Sequence, residues 1–121
     1  LLAGENVASA VTVAMKRGKL FGVHINDNYG RTDEDMTFLS VHYREALEFF
    51  YYLKKLGYDG WVSLDIAPRK EDPIDACNLC FENLSLLLKA LDRINEEALK
   101  EAQNRSDALM AQHVINKALI G

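Results

Sequence analysis

Hydrophobic residues along the chain alternate between two patterns, helical spacing and short continuous runs. Apolar residues three and four apart predict amphipathic helices over residues 7–15, 41–56 and 73–91. Continuous apolar runs at residues 20–25 and 61–66 are typical of strands that are buried on both faces. The order helix, strand, helix, strand, helix therefore predicts an α/β fold with parallel strands.

The pattern weakens beyond Asn95. This segment is rich in helix-forming residues but has fewer large apolar side chains, and it predicts two shorter helices with a break near residues 104–106. The second of these helices carries apolar residues at helical spacing, which we expect to contact another subunit in an oligomer, with packing on the rest of the same chain as the alternative. These residues are Met110, Val114 and Ala118, with Ala111, Ile115 and Leu119 beside them.

Two strands make an incomplete sheet. Both edges of a two-stranded parallel sheet are unpaired, and parallel sheets occur almost only inside larger ones. The chain also begins at Leu1 rather than at a methionine. We therefore expect that further strands come from a segment before Leu1, from another chain or from self-association.

Composition and charge narrow the class of protein. The 121 residues are 49% hydrophobic and 26% charged, which is ordinary for a globular domain. The formal net charge of -4 argues against nucleic acid as a partner, because phosphate binding depends on clustered lysine and arginine. No apolar run approaches the roughly 20 residues that span a bilayer, and no signal-peptide pattern opens the chain, so we expect no membrane partner.

Two cysteines, Cys77 and Cys80, lie three positions apart in the third predicted helix. A pair with this spacing is found in redox sites and in half of a zinc site. Since the sequence has no second pair, we interpret them as small thiols that are core-facing or partly buried. Free thiols are typical of a reducing compartment, and we predict a cytoplasmic protein.

Candidate chemistry gathers at the ends of the two predicted strands. His24 lies near the end of the first strand and Asp65 near the end of the second. A carboxylate in a buried strand requires a partner, and sites in β/α folds are built at the carboxyl ends of strands. Imidazole and carboxylate from neighbouring strands suit a divalent ion such as Mn, Mg, Co or Zn. The alternatives are a core histidine with satisfied hydrogen bonds and a carboxylate that caps the next loop.

The segment 26–40 is a long polar loop, and loops of this length inside compact domains are usually functional. It contains Asp33-Glu34-Asp35, and alternate residues of an extended segment point the same way. Asp33 and Asp35 are therefore candidates for holding one cation. A solvated surface loop is the alternative explanation of this acidic triplet.

The remaining histidines, His42 and His113, lie on predicted helices. Neither has an acidic residue at ligand spacing nearby in the sequence. We interpret both as structural or surface residues.

The residues of the first strand and loop resemble a known family. His24-Ile25-Asn26-Asp27-Asn28-Tyr29-Gly30, followed by Asp33-Glu34-Asp35, is similar to the metal-binding strand and loop of bacterial L-rhamnose isomerases. Leu64-Asp65-Ile66, followed by Asp72-Pro73-Ile74, looks like the next strand of these enzymes, which belong to the xylose-isomerase-like superfamily. The resemblance covers about residues 1–92.

The resemblance implies a fold. It implies that residues 1–92 form the last β/α units of a TIM (β/α)8 barrel, and that residues 93–121 form a helical carboxyl-terminal extension. The predicted fold class is thus α/β, the carboxyl-terminal part of a barrel that is incomplete in this chain.

The resemblance also implies two metal positions. His24 and Asp65 match the last two of four ligands to one ion, while Asp33 and Asp35 match the aspartate pair that holds a second, catalytic ion. Residues 2–6 resemble the segment after the preceding strand, so the other ligands would lie before Leu1. Manganese is the expected ion, with magnesium, cobalt or zinc as alternatives.

The implied activity is aldose–ketose interconversion of a small sugar, with this chain inactive alone. One ion orients the open-chain sugar, and the second lowers the pKa of a bound water that moves the hydroxyl proton. Asp33, Asp35 and Asp65 are the predicted catalytic residues through these ions. Asn26 and Asn28 are candidates for contacting sugar hydroxyls, with a role in the loop turn as the alternative.

Three rival functions follow from the same residues. A metal-dependent sugar epimerase of the same superfamily usually has Glu at the position of Asp65 and no aspartate pair, which favours the isomerase. The related DNA-repair endonucleases need a histidine beside the loop aspartate, where this chain has Glu34 and Asp35, and a basic surface. The third rival is a non-catalytic chain that only forms oligomers.

Overall fold

The computed structural model describes residues 4–121, and within this range it has five α-helices and one two-stranded sheet. The elements follow the order α1 (Val7–Lys16), β1 (Val23–Ile25), α2 (Tyr43–Lys55), β2 (Val62–Leu64), α3 (Pro73–Asp92), α4 (Glu96–Asn104) and α5 (Ala108–Ile120). The two strands are parallel and pair Val23 with Val62 and Ile25 with Leu64. The positions of the predicted helices and strands are therefore confirmed. The segment 2–6, compared above with the isomerases, lies partly outside the described residues.

The predicted fold class is wrong. Residues 4–121 are mostly helical and contain no part of a TIM barrel, since their sheet has two strands of three residues each. The apolar runs misled the prediction because they are not buried on both faces. Strand β1 buries Val23 and Ile25 but exposes His24 between them. At the start of the two runs, Phe21 and Trp61 are each 85% exposed.

The chain divides into two compact units, one that ends at Leu84 and one over Ser85–Gly121. In the first unit, α1 packs on α2, and β1 pairs with β2. The core is built mainly from the apolar face of α2 and the buried face of β1, with one phenylalanine from the loop between them. Its members include Val23, Ile25, Phe38, Leu47, Phe50 and Leu53.

Local signals in the sequence explain where the helices of the first unit begin. The Asn6 side chain accepts a hydrogen bond from the Ser9 backbone N–H at 2.8 Å, which caps α1. The Asp72 carboxylate accepts from the N–H groups of Ile74 and Asp75, with Pro73 as the first residue of α3. Further along α3, Cys80 is fully buried, Cys77 is half-buried and both are free thiols, as predicted.

The second unit contains α4 and α5, which pack on each other. Asn95 and Asp107 cap the two helices by accepting from the N–H groups of Ala98 and Met110. The predicted break between them is confirmed, and Ser106 takes a left-handed φ of 53° there. Val114 and Ala118, from the stripe predicted to contact another subunit, are already buried in the chain itself.

Within residues 4–121, no helix has the length and apolar character needed to cross a membrane.

The first-unit core should depend strongly on Leu47, which is 2% exposed. We expect Leu47→Ala to lower the free energy of unfolding by about 2–5 kcal/mol, because it removes buried methyl groups and leaves a cavity. Leu79→Ala, at a helical leucine that is 45% exposed, is the matched control and should cost about 1 kcal/mol or less. Urea unfolding followed by circular dichroism measures both. Equal losses would contradict the assigned core.

Candidate metal and substrate site

His24 and Asp65 lie on one face of the sheet. In the parallel register His24 pairs with Ser63, and side chains two positions apart on a strand share a face. The Asp65 N–H donates to the Ile25 carbonyl at 3.0 Å, so the strand pairing continues beyond β2. This pairing brings His24 Nδ1 within 3.9 Å of Asp65 Oδ2, with both side chains more than half exposed.

The separation of these two atoms is close to that of two ligands of one metal ion. Zinc binds histidine nitrogen and carboxylate oxygen at about 2.0–2.2 Å in a tetrahedral arrangement, so two donors to one ion lie about 3.3–3.6 Å apart. The 3.9 Å between His24 Nδ1 and Asp65 Oδ2 is slightly longer than that and is too long for a direct hydrogen bond. A small rotation of either exposed side chain would bring both atoms within reach of one ion.

The loop 26–40 is held against the strand ends by backbone hydrogen bonds. Asp27 and Met36 exchange two such bonds in an antiparallel bridge, at 2.9 and 3.0 Å. The Ala67 N–H, in the segment after β2, donates to the Asp35 carbonyl at 3.1 Å. The acidic triplet is thus fixed beside the carboxyl ends of both strands.

Asp33 and Asp35 are neighbours within this loop. A hydrogen bond that the protonated Asp33 carboxyl group donates to the Asp35 carboxylate, together with repulsion by the Asp35 charge, raises the pKa of Asp33. The Asn26 side-chain amide donates to Asp35 Oδ1 at 3.0 Å, and Asp35 has a left-handed φ of 47°. Two carboxylates this close favour a shared proton or a shared cation.

A cavity of about 380 Å³ opens next to these residues. It is lined by polar side chains from β1, the loop and the start of α2, together with aromatic rings of the loop and of α2. The polar residues are His24, Asn26, Asp27, Asn28, Asp33 and His42, and the aromatic ones are Phe38, Phe49 and Phe50. Asp35 lines a different cavity, beside residues 66–71.

The predicted ligands thus form two pairs, His24 with Asp65 and Asp33 with Asp35. The structure does not bring all four into one cluster. Among residues 4–121, no three or more His, Cys, Asp or Glu side chains are arranged to hold an ion. Each pair supplies two protein donors, so a bound ion needs further ligands.

Sequence reasoning missed the pair formed by Asp27 and His42. His42 Nδ1 lies 2.6 Å from Asp27 Oδ1, so His42, which we interpreted from the sequence as a structural or surface residue, has an acidic partner that its sequence neighbours did not indicate. The two residues are 15 positions apart, and only the folding of the loop brings them together. The signal in the sequence was Asp27 itself, an acid directly after a buried strand, which requires partners.

Asp27 is 2% exposed and accepts several hydrogen bonds. Its carboxylate receives the backbone N–H groups of Asn28, Val41 and His42 at 2.8–3.0 Å, in addition to the His42 ring. Burial by itself raises the pKa of Asp27, but these hydrogen bonds outweigh burial and hold the pKa below its ordinary value. Asp27 is therefore a buried, ionised carboxylate.

Comparison of the chain with protein-family models and with curated proteins gives no match.

We expect Asp27→Asn to lower the free energy of unfolding by roughly 2–4 kcal/mol at neutral pH, because it removes a buried charge from the donors that surround it. The folded-state pKa of Asp27 lies below the unfolded value of about 3.9, so its contribution is fully present above that value. The contribution disappears as the pH falls through the folded-state pKa. The difference between wild type and variant should therefore shrink in acid.

Urea titrations at pH values from 7 down to 2 measure this difference. Asp59→Asn, at an exposed aspartate of the same unit, is the control and should change stability by about 0.5 kcal/mol or less. A gap between wild type and Asp27→Asn that stays constant with pH would contradict the ionised state.

Proposed function

We propose that this chain supplies part of the divalent-metal site of an aldose–ketose sugar isomerase similar to the L-rhamnose isomerases. The observation that carries the proposal is the placement of His24 Nδ1 and Asp65 Oδ2 on one face of the sheet, 3.9 Å apart. These are the two residues that the resemblance assigns to one ion. A nitrogen and a carboxylate oxygen suit manganese, and also magnesium, cobalt or zinc.

The residues near this pair fit the handling of a hydroxylated substrate. When bound, the ion supplies Lewis-acid polarisation of the sugar oxygens. Asn26 and Asn28 line the cavity beside His24. Each amide already has a loop partner, Asp35 for Asn26 and the Gly30 N–H for Asn28 at 2.7 Å, so both side chains are oriented before a ligand arrives. We propose that their remaining amide atoms bind sugar hydroxyls.

Asp33 and Asp35 are proposed as the donors to a second ion. A cation relieves the repulsion between the two carboxylates, as the proton on Asp33 does at lower pH. Since each pair provides two donors, we propose that the remaining ligands come from outside residues 4–121. A homo-oligomer in the cytoplasm is the expected working form.

Manganese titration tests the metal site of this chain. We expect weak binding, with a dissociation constant above about 10 μM, because two protein donors fill a small part of the coordination shell. Paramagnetic broadening in NMR spectra should be strongest at His24, Ser63 and Asp65. His24→Ala should abolish the broadening at Ser63 and Asp65 but not that from an ion at Asp33 and Asp35, whereas His113→Ala, at an exposed histidine of α5, should leave both unchanged. Submicromolar binding, or broadening at Ser63 and Asp65 that survives His24→Ala, would refute the site.

Activity tests the reaction class. A form of the protein extended before Leu1, loaded with manganese, should convert L-rhamnose or a similar aldose to the ketose. Asp65→Asn should reduce kcat/KM by at least about 100-fold, because it weakens an ion that acts on the reacting oxygens. A product with one inverted carbon and an unmoved carbonyl would instead identify an epimerase. No turnover with intact manganese binding would favour a non-catalytic role.

A further inference from the structure

The cavity next to His24 combines features of a site for a small polyhydroxy compound. Its volume of about 380 Å³ lies within the range of about 300–1,000 Å³ that is usual for small-molecule sites. Amide and carboxylate groups of the loop offer hydrogen bonds to hydroxyls. The phenylalanine rings of the lining offer apolar surface for the C–H groups of a carbon chain.

His42 is the one lining residue with a buried, charged partner fixed to its ring. Its Nδ1 is 2.6 Å from Asp27 Oδ1, and its own backbone N–H donates to the same carboxylate at 3.0 Å. Its side chain is 20% exposed, against 2% for Asp27, so the ring is the more accessible member of the pair. His24, by contrast, has 70% of its side chain exposed. A histidine held through both its ring and its backbone N–H is oriented before a ligand binds.

The partner also determines which nitrogen of His42 carries the proton. An ionised carboxylate can only accept hydrogen bonds, so Nδ1 of His42 is the donor to Asp27. In the neutral ring, Nε2 is then the unprotonated nitrogen and a hydrogen-bond acceptor. The other hydrogen-bond acceptors in this cavity are mostly carboxylate and amide oxygens of the loop.

We propose that His42, oriented by Asp27, is a substrate-binding residue whose Nε2 accepts a hydrogen bond from a hydroxyl of an open-chain polyhydroxy compound in this cavity. The inference rests on the proposed function, because it adds a residue to the same substrate site. The resemblance assigned no role to His42. The Asp27–His42 pair thereby links a buried structural charge to the substrate.

NMR of the histidine rings tests this proposal in the metal-free chain. The probe is L-rhamnitol, the alditol of L-rhamnose, which is open-chain and has no carbonyl group to isomerise. Long-range ¹H–¹⁵N spectra, recorded at a pH where the histidine rings are neutral, should show His42 with its proton on Nδ1. Addition of L-rhamnitol should shift the His42 Nε2 resonance and leave His113 unchanged. An unmoved His42 resonance at a saturating alditol concentration would overturn the proposal.

Two substitutions separate ligand binding from folding. His42→Asn retains a donor near the position of Nδ1 and lacks Nε2, so we expect it to stay folded and to bind L-rhamnitol about tenfold more weakly. His42→Gln retains an amide near the position of Nε2 but loses the close contact with Asp27, so it should lose stability and keep more of the affinity. Unchanged alditol affinity in folded His42→Asn would overturn the proposal.

Manganese provides the distinction from the proposed function. His42→Asn should bind manganese as the wild type does, because His24 and Asp65 are untouched. If L-rhamnitol shifts the His42 resonance but manganese has no effect at His24, the polyol site proposed here stands and the proposed isomerase function fails. Manganese broadening centred on His42 itself would make His42 a metal ligand and overturn the proposal.

Discussion

The buried charge of Asp27 is the constraint on which the site region depends. Removing a carboxylate from water costs several kcal/mol, and charge-assisted hydrogen bonds of about 1.5–3 kcal/mol each offset that cost only when several are made together. Asp27 makes them with the N–H groups of Val41 and His42, the ring of His42 and its neighbour Asn28. The carboxylate thereby joins the end of β1, the end of the loop and the start of α2. Without it, the loop 26–40 would lack its main attachment to the helix.

The position of the acidic triplet follows from that attachment. With both ends of the loop held, the Asp27–Met36 bridge and the bond from Ala67 to Asp35 fold its middle against the strand ends. Asp33 and Asp35 are kept close enough to perturb each other, at the same end of the sheet as His24 and Asp65. The strained left-handed backbone of Asp35 is stabilised by the Asn26 side chain. The polar contacts that fix the loop are thus the same ones that position the candidate site residues.

The exposed face of the sheet explains why the fold prediction was wrong. It also explains why the His24 and Asp65 side chains are accessible. A strand in a closed barrel is covered on both faces, whereas β1 and β2 present His24, Ser63 and Asp65 to solvent. An apolar run in the sequence does not distinguish these cases, because Phe21 and Trp61 read as core residues although they are exposed. The same exposure leaves the His24–Asp65 pair accessible from solvent.

Local signals in the sequence determined the secondary structure of this protein. Caps at Asn6, Asp72, Asn95 and Asp107, together with helical spacing, specify the helices, because these interactions join residues a few positions apart. Their positions near the ends of the two predicted strands made His24 and Asp65 candidates, and the register of the strand pairing put them on one face. Only the tertiary structure decided that His24 is exposed on the sheet, that the four acidic and imidazole candidates form two separate pairs, and that Asp27 binds His42. Those outcomes depend on contacts between residues far apart in the chain. The spacing of neighbouring residues in the sequence gives no information on the energies of such contacts.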